Sequence, residues 1–105
     1  FVSDLPGKWK RSIGIFNKSE NEIVAYCIVS EKKDCLHIHL LMVANKYQGL
    51  GLGSKMIKKI RNKKYKKITV KTFTYLRKSL EFYKKNDFWI KYINKKTIFM
   101  EKNII

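Results

Sequence analysis

Three glycines at alternate positions, Gly49, Gly51 and Gly53, stand between an apolar run that ends at Val43 and a segment in which Leu52, Met56, Ile57 and Ile60 recur at helical spacing. Glycines this dense are costly inside a strand or a helix, so the backbone is expected to turn here from extended to helical. With no Cβ atoms in the way, several N–H groups can point into one concavity, and the N-terminus of the helix beyond adds roughly half a positive charge. A strand, an anion-binding loop and a helix in series are therefore expected over residues 43–54, with a pyrophosphate as the natural occupant.

The rest of the chain frames that loop. Residues 12–16, 22–30 and 35–43 are β-leaning runs separated by the polar turns 17–21 and 31–34, which predicts a meander of three antiparallel strands. An amphipathic helix follows over 51–63, with Lys55, Lys58, Lys59 and Arg61 filling its polar positions. Residues 68–73 alternate as a strand. Leu76, Ser79, Leu80 and Tyr83 then align on one face of a second helix that ends near Asn86 and Asp87. Residues 88–93 and 97–100 close as a hairpin through 94–96, and the Leu5-Pro6-Gly7 turn signal opens the chain. The predicted order is βββαβαββ in one α+β domain over residues 1–105, because 105 residues hold one core and are too few for two.

Counting excludes two familiar phosphate loops. The dinucleotide pattern G-x-G-x-x-G needs glycine at position 54, and the pattern G-x-x-x-x-G-K-S/T counted from Gly49 fails at the same place, because that residue is Ser54. What remains is Gln48-x-x-Gly51-x-Gly53, which resembles the Gln/Arg-x-x-Gly-x-Gly/Ala signature of the GNAT superfamily of acetyl-CoA-dependent N-acetyltransferases. The run from Ser79 to Phe88 is similar to that superfamily's second block, A-x-x-F-Y-x-x-x-G-F, with Phe82 and Tyr83 in register. The resemblance covers about residues 35–88. It implies the GNAT fold, a splayed mixed sheet of about six strands, here lacking most of the usual N-terminal strand-helix-helix arm, and it implies acetyl-CoA or coenzyme A as co-substrate. There are departures: Leu76 stands where the family often has an asparagine, Ser79 replaces an alanine, and Asp87 replaces the glycine at the helix exit. Aspartate can adopt the left-handed conformation needed there.

The same resemblance distributes roles. The pantetheine arm is expected along Met42 and Val43 like an added strand, with the Val43 N–H on the thioester carbonyl where the sheet splays. Gln48, Gly49, Leu50, Gly51, Leu52, Gly53 and Ser54 take the phosphates, and Ser79, Phe82 and Tyr83 complete the cofactor-binding set. Tyr83 occupies the place of a general acid; a phenol of pKa about 10 can protonate a thiolate of pKa about 8.5 and stay neutral at pH 7. A lysine-like acceptor is deprotonated at pH 7 only against roughly 4.6 kcal/mol, so a base is needed. His37 lies six residues before Val43, where several relatives carry a catalytic glutamate, and an imidazole titrating between about 6 and 8 serves that end. Glu22 and Glu31 fall at strand ends and suit it less. Cys35, His37 and His39 share a strand face, yet closing a tetrahedral site would need a further ligand, and no metal is expected. Neither Cys27 nor Cys35 falls beside the thioester, which favours direct attack by a primary amine (a protein N-terminus, a lysine or a small molecule) in a ternary complex.

Charge adds a partner class. With 24 Lys and Arg against 8 Asp and Glu the net charge is +16, which draws the chain to polyanions. The lysines lie along every segment, so they mark no single stripe. Two alternatives therefore stand beside the enzyme reading: a non-catalytic acyl-CoA-binding or interaction module, and a basic nucleic-acid-binding domain. No apolar run approaches the roughly 18 residues that span a bilayer, so no membrane partner is expected. Sparse cysteine favours a reducing, intracellular setting, cytoplasmic by default. Oligomeric state is left open, a homodimer included.

Overall fold

The computed structural model describes residues 10–104; the turn expected at residues 5–7 falls outside them. The chain runs β1 (Ile13–Asn17), β2 (Glu22–Lys32), β3 (Cys35–Val43), a 3-10 turn (Asn45–Tyr47), α1 (Leu52–Ile60), β4 (Lys67–Phe73), α2 (Arg77–Lys85), β5 (Trp89–Asn94) and β6 (Thr97–Asn103). These form one six-stranded sheet in the order β1-β2-β3-β4-β6-β5. The first three strands are the expected antiparallel meander, and β3 and β4 are parallel, as a helical crossover through α1 requires. Strand β6 inserts antiparallel between β4 and β5.

Both helices cover the same face. Met56, Ile57 and Ile60 of α1 and Tyr83 of α2 join one core with Cys27 and Val29 of β2, Leu36 and Ile38 of β3, Ile68 and Val70 of β4, and Ile98 and Met100 of β6. Each such aliphatic side chain removed from water contributes about 1.5–3 kcal/mol before the cost of ordering it. Among the described residues no helix covers the other face, which carries Tyr26, Ser30, His37, Thr69, Tyr92 and Phe99. No helix among the described residues is long and apolar enough to cross a membrane.

Strand bounds fall within a residue or two of the sequence expectation except at β6, and helix α1 is shorter than expected. Helix α1 ends at Ile60, because Arg61 is extended at φ −57°, ψ 131° and sends its guanidinium to the Ile104 carbonyl at 3.1 Å. Asn62 then accepts the Lys64 N–H at 2.9 Å on its side chain, a local turn that competes with helix. Strand β6 extends to Asn103 because it pairs with β4 along that strand's full length. The 3-10 turn after β3 is new.

Register carries the largest surprise. Ile28 pairs with Leu40 but Val29 pairs with Ile38, so β3 holds one extra residue, His39, opposite that step. Before this bulge Leu36 and Ile38 face the helices; after it Leu41 and Val43 do, while His39 and Leu40 both lie on the open face.

Candidate active site

Strands β3 and β4 pair only from Cys35 with Lys67 to Ile38 with Val70, and beyond that rung they part although both continue. The sheet therefore opens into a wedge whose apex is Ile38. On the other side of β3 the Ala44 N–H donates to the Val24 carbonyl at 2.8 Å. Backbone direction alternates along a strand, so Leu41 and Val43 turn their N–H groups toward the edge that β4 has left. These two donors face the wedge.

At its wide end stands the glycine loop. Gly49 and Gly51 adopt φ +84° and +78°, where an L-residue pays roughly 1–2 kcal/mol, and a Cβ on either would meet nothing within 4 Å. Glycine is thus required by backbone conformation and not by crowding. Gly51 is the N-cap of α1, with no side-chain cap and no acidic residue in the first turn, so the N–H groups of the first turn remain open to an anion. The loop is tied to the strand by Gln48, whose side-chain amide donates to the Val43 carbonyl at 3.0 Å and to Asn45 at 3.2 Å. Ahead of it, the Tyr47 hydroxyl donates to Glu22 at 2.8 Å and Lys46 pairs with Glu20 at 2.6 Å. The Lys46 ammonium holds the Glu20 carboxyl down to about 2.

Between loop, wedge and α2 lies a cavity of about 390 Å³ lined by Val43, Gln48, Gly49, Gly51, Leu52, Gly53, Ser54, Ser79, Phe82 and Tyr83. Ten residues expected at the cofactor thus converge. Two others do not: Leu50 points to solvent at 68 % exposure, and the Met42 side chain is half-exposed on the far face beside Tyr26. Four lining residues escaped the sequence reading, namely Leu41, Tyr47, Lys78 and Lys85. Strand alternation from Val43 reaches Leu41, since the bulge lies before both, and is the signal that would have found it. In a chain with 24 Lys and Arg nothing distinguished the two lysines.

Tyr83 is buried, its ring edge-on to Phe82 at 5.1 Å and to Phe88 at 5.2 Å, and burial pushes its phenol above the usual range. It therefore stays protonated through neutral pH. Burial also pushes the Cys27 thiol up to about 12, which leaves it no nucleophile. Asp87 takes φ +69°, the left-handed exit expected of it.

His37 is not in that cavity. It lies on the open face, one residue before the wedge apex, with Nδ1 hydrogen-bonded to the Thr69 hydroxyl at 2.8 Å and the His39 ring edge-on at 4.9 Å. Burial, then the positive neighbours His39, Lys32 and Lys71, lower its pKa below the ordinary 6.5. Tyr83 and His37 thus belong to opposite faces of the sheet.

Residues 12–90 match the acetyltransferase (GNAT) domain. The chain belongs to the GNAT family. No curated protein matches it in sequence. Among solved structures the GNAT chain resembles nourseothricin acetyltransferase (TM-score 0.79, 11% identity, covering 90% of this chain and 65% of that one). It also resembles an acetyltransferase from Bacillus cereus (0.76, 22%, 88% and 71%) and the PaiA N-acetyltransferase of Thermoplasma acidophilum in complex with coenzyme A (0.76, 17%, 88% and 59%). The chain thus spans about three fifths to seven tenths of these relatives. The family's co-substrate is acetyl-CoA, and the residues present fit it. Positive-φ glycines and an uncapped helix suit the phosphates, Lys78 and Lys85 add charge at the cavity wall, and the free edge of β3 suits an amide-bearing arm.

Proposed function

We propose that this GNAT domain transfers the acetyl group of acetyl-CoA to a primary amine by direct attack in a ternary complex. The observation that carries the reading is the wedge. An unpaired strand edge with two inward N–H donors runs from an anion cradle past a buried, protonated tyrosine. Acetyl-CoA supplies the activated thioester. The N–H groups of Leu41 and Val43 stand where a carbonyl oxygen gaining negative charge is stabilised, Leu41 being the deeper of the two. The phenol of Tyr83, which burial keeps protonated, donates its proton to the departing sulfur as the C–S bond breaks. On the open side, His37 accepts the proton that the amine nitrogen sheds as its bond to the acyl carbon forms; held neutral by burial, it is free to do so. Among the described residues no cysteine lines the cofactor cavity, which favours direct transfer over a covalent relay.

The test is release of free coenzyme A from acetyl-CoA with a panel of primary amines, alongside thermal stabilisation by acetyl-CoA alone. Stabilisation with turnover is expected. Stabilisation with no amine turned over would leave a binding module, and neither would overturn the reading.

A further inference from the structure

A second concavity, of about 500 Å³, lies on the open face, with His37 and Thr69 at one side and Tyr92 and Phe99 at the other. Its volume suits a small molecule. The Tyr92 and Phe99 rings stack at 4.4 Å and give it an apolar wall. Lys32, Lys33 and Lys91 also line it, and Lys71 stands close enough to act on His37.

The balance of charge within this groove is one-sided. Its buried carboxylate, Glu101, is only 7% exposed and is already held by Lys67 at 3.0 Å and Lys91 at 3.1 Å. The other acid, Asp34, is largely exposed and drawn to Lys66 at 3.9 Å. Lys32, Lys33 and Lys71 form no ion pair among the described residues, so uncompensated positive charge faces the groove beside His37.

We infer that the acetyl acceptor is a small amine bearing a carboxylate or phosphate, bound in this groove with its anion on Lys32 and Lys33 and its amine toward His37. The inference rests on the acetyl-transfer reading and narrows it to a substrate class. Two requirements of the reaction are met together. The lysines hold the anion through charge-assisted hydrogen bonds. The same positive field disfavours the ammonium form of the amine and so assists its deprotonation. A polycationic acceptor such as a lysine-rich peptide is repelled by the same charges.

Matched amines test this: phenylalanine against phenylalaninamide, and phosphoethanolamine against ethanolamine. In each pair the anionic member is expected to show a kcat/KM about tenfold or more higher, as one charge-assisted contact would give. In the Lys32→Ala/Lys33→Ala double variant that ratio should collapse toward one while thermal stabilisation by acetyl-CoA is retained. A second readout needs no turnover. Phosphoethanolamine added without acetyl-CoA should shift the NMR signals of the His37 ring in the parent and not in the double variant. Equal or reversed preference, or a ratio that survives the double substitution, overturns the inference. Ring shifts without any response to acetyl-CoA would sink the transfer reading and leave the anion site standing; unmoved rings would sink the site itself.

Discussion

A Cβ placed on Gly53 would stand 2.9 Å from two ring carbons of Phe82, so α1 and α2 meet with no room for a methyl group. The obstructing atoms are the far end of a side chain that lines the cofactor cavity, and the ring can yield only by moving. In Gly53→Ala the gain in helix propensity, about 1 kcal/mol, offsets part of an overpacking cost of about 1–3 kcal/mol. Melting of the free protein should therefore fall by only a few degrees. The displaced ring should cost about tenfold in acetyl-CoA affinity by calorimetry, and unchanged affinity would show that Phe82 does not shape the site.

Gly51 fails for a different reason. Its φ of +78° is strained for any L-residue although the space beside it is empty. Gly51→Ala is expected to lose about 1–2 kcal/mol of folding stability, read as a drop of several degrees in Tm. Gly51→Asp adds a negative charge at the helix N-terminus and should abolish the thermal shift given by saturating acetyl-CoA, while a shift equal to the parent's would remove this loop from phosphate binding.

The frame of this site was legible in the sequence because each element has its own period. Leu52, Met56, Ile57 and Ile60 repeat as a helix, the runs 22–30 and 35–43 carry β-branched or apolar residues between polar turns, and the alternate glycines mark the junction. Register was not legible. The run Leu36-His37-Ile38-His39-Leu40-Leu41-Met42-Val43 holds apolar residues on both parities, so nothing local shows that His39 is an inserted residue. That bulge decides that Leu41 and Val43, and not Leu40 and Met42, share the helix-covered face with Leu36 and Ile38. Motif adjacency likewise put Leu50 among the cofactor contacts, whereas the positive φ of its glycine neighbours turns it outward.

Tyr83 offers a clean separation of chemistry from packing. Its ring is wedged between Phe82 and Phe88, while no hydrogen bond holds its hydroxyl among the described residues. Tyr83→Phe keeps the ring and loses only the acid. Stability is expected to hold within about 1 kcal/mol, with kcat falling by on the order of tenfold to a thousandfold and acetyl-CoA affinity changing by no more than about threefold. Full turnover in this variant would return proton donation to water.

His37 links stability and rate through one titration. Burial and the charges of His39 on β3, Lys32 on β2 and Lys71 on β4 lower its pKa in the folded protein, while Glu101, the buried acid of the groove, is held by Lys67 and Lys91, and Asp34 is largely exposed beside Lys66. The unfolded chain then binds a proton near 6.5 that the folded chain does not yet accept. Above that pH the group is neutral in both states and costs nothing. As pH falls below 6.5 the unfolded state gains the proton first, so folding stability declines until the lower folded pKa is reached. Denaturant midpoints of the parent should therefore drop between pH 7.5 and 5.5, and those of His37→Gln should drop less. The rate at saturating substrate should rise through a pKa below the 6.5 of an unperturbed imidazole. His37→Gln should lose that limb of the pH profile, whereas His39→Gln should shift it upward by removing a positive neighbour without abolishing it. An unchanged limb in His37→Gln would pass the base role to water, and loss of the limb in both variants would point to damage at the β3 bulge.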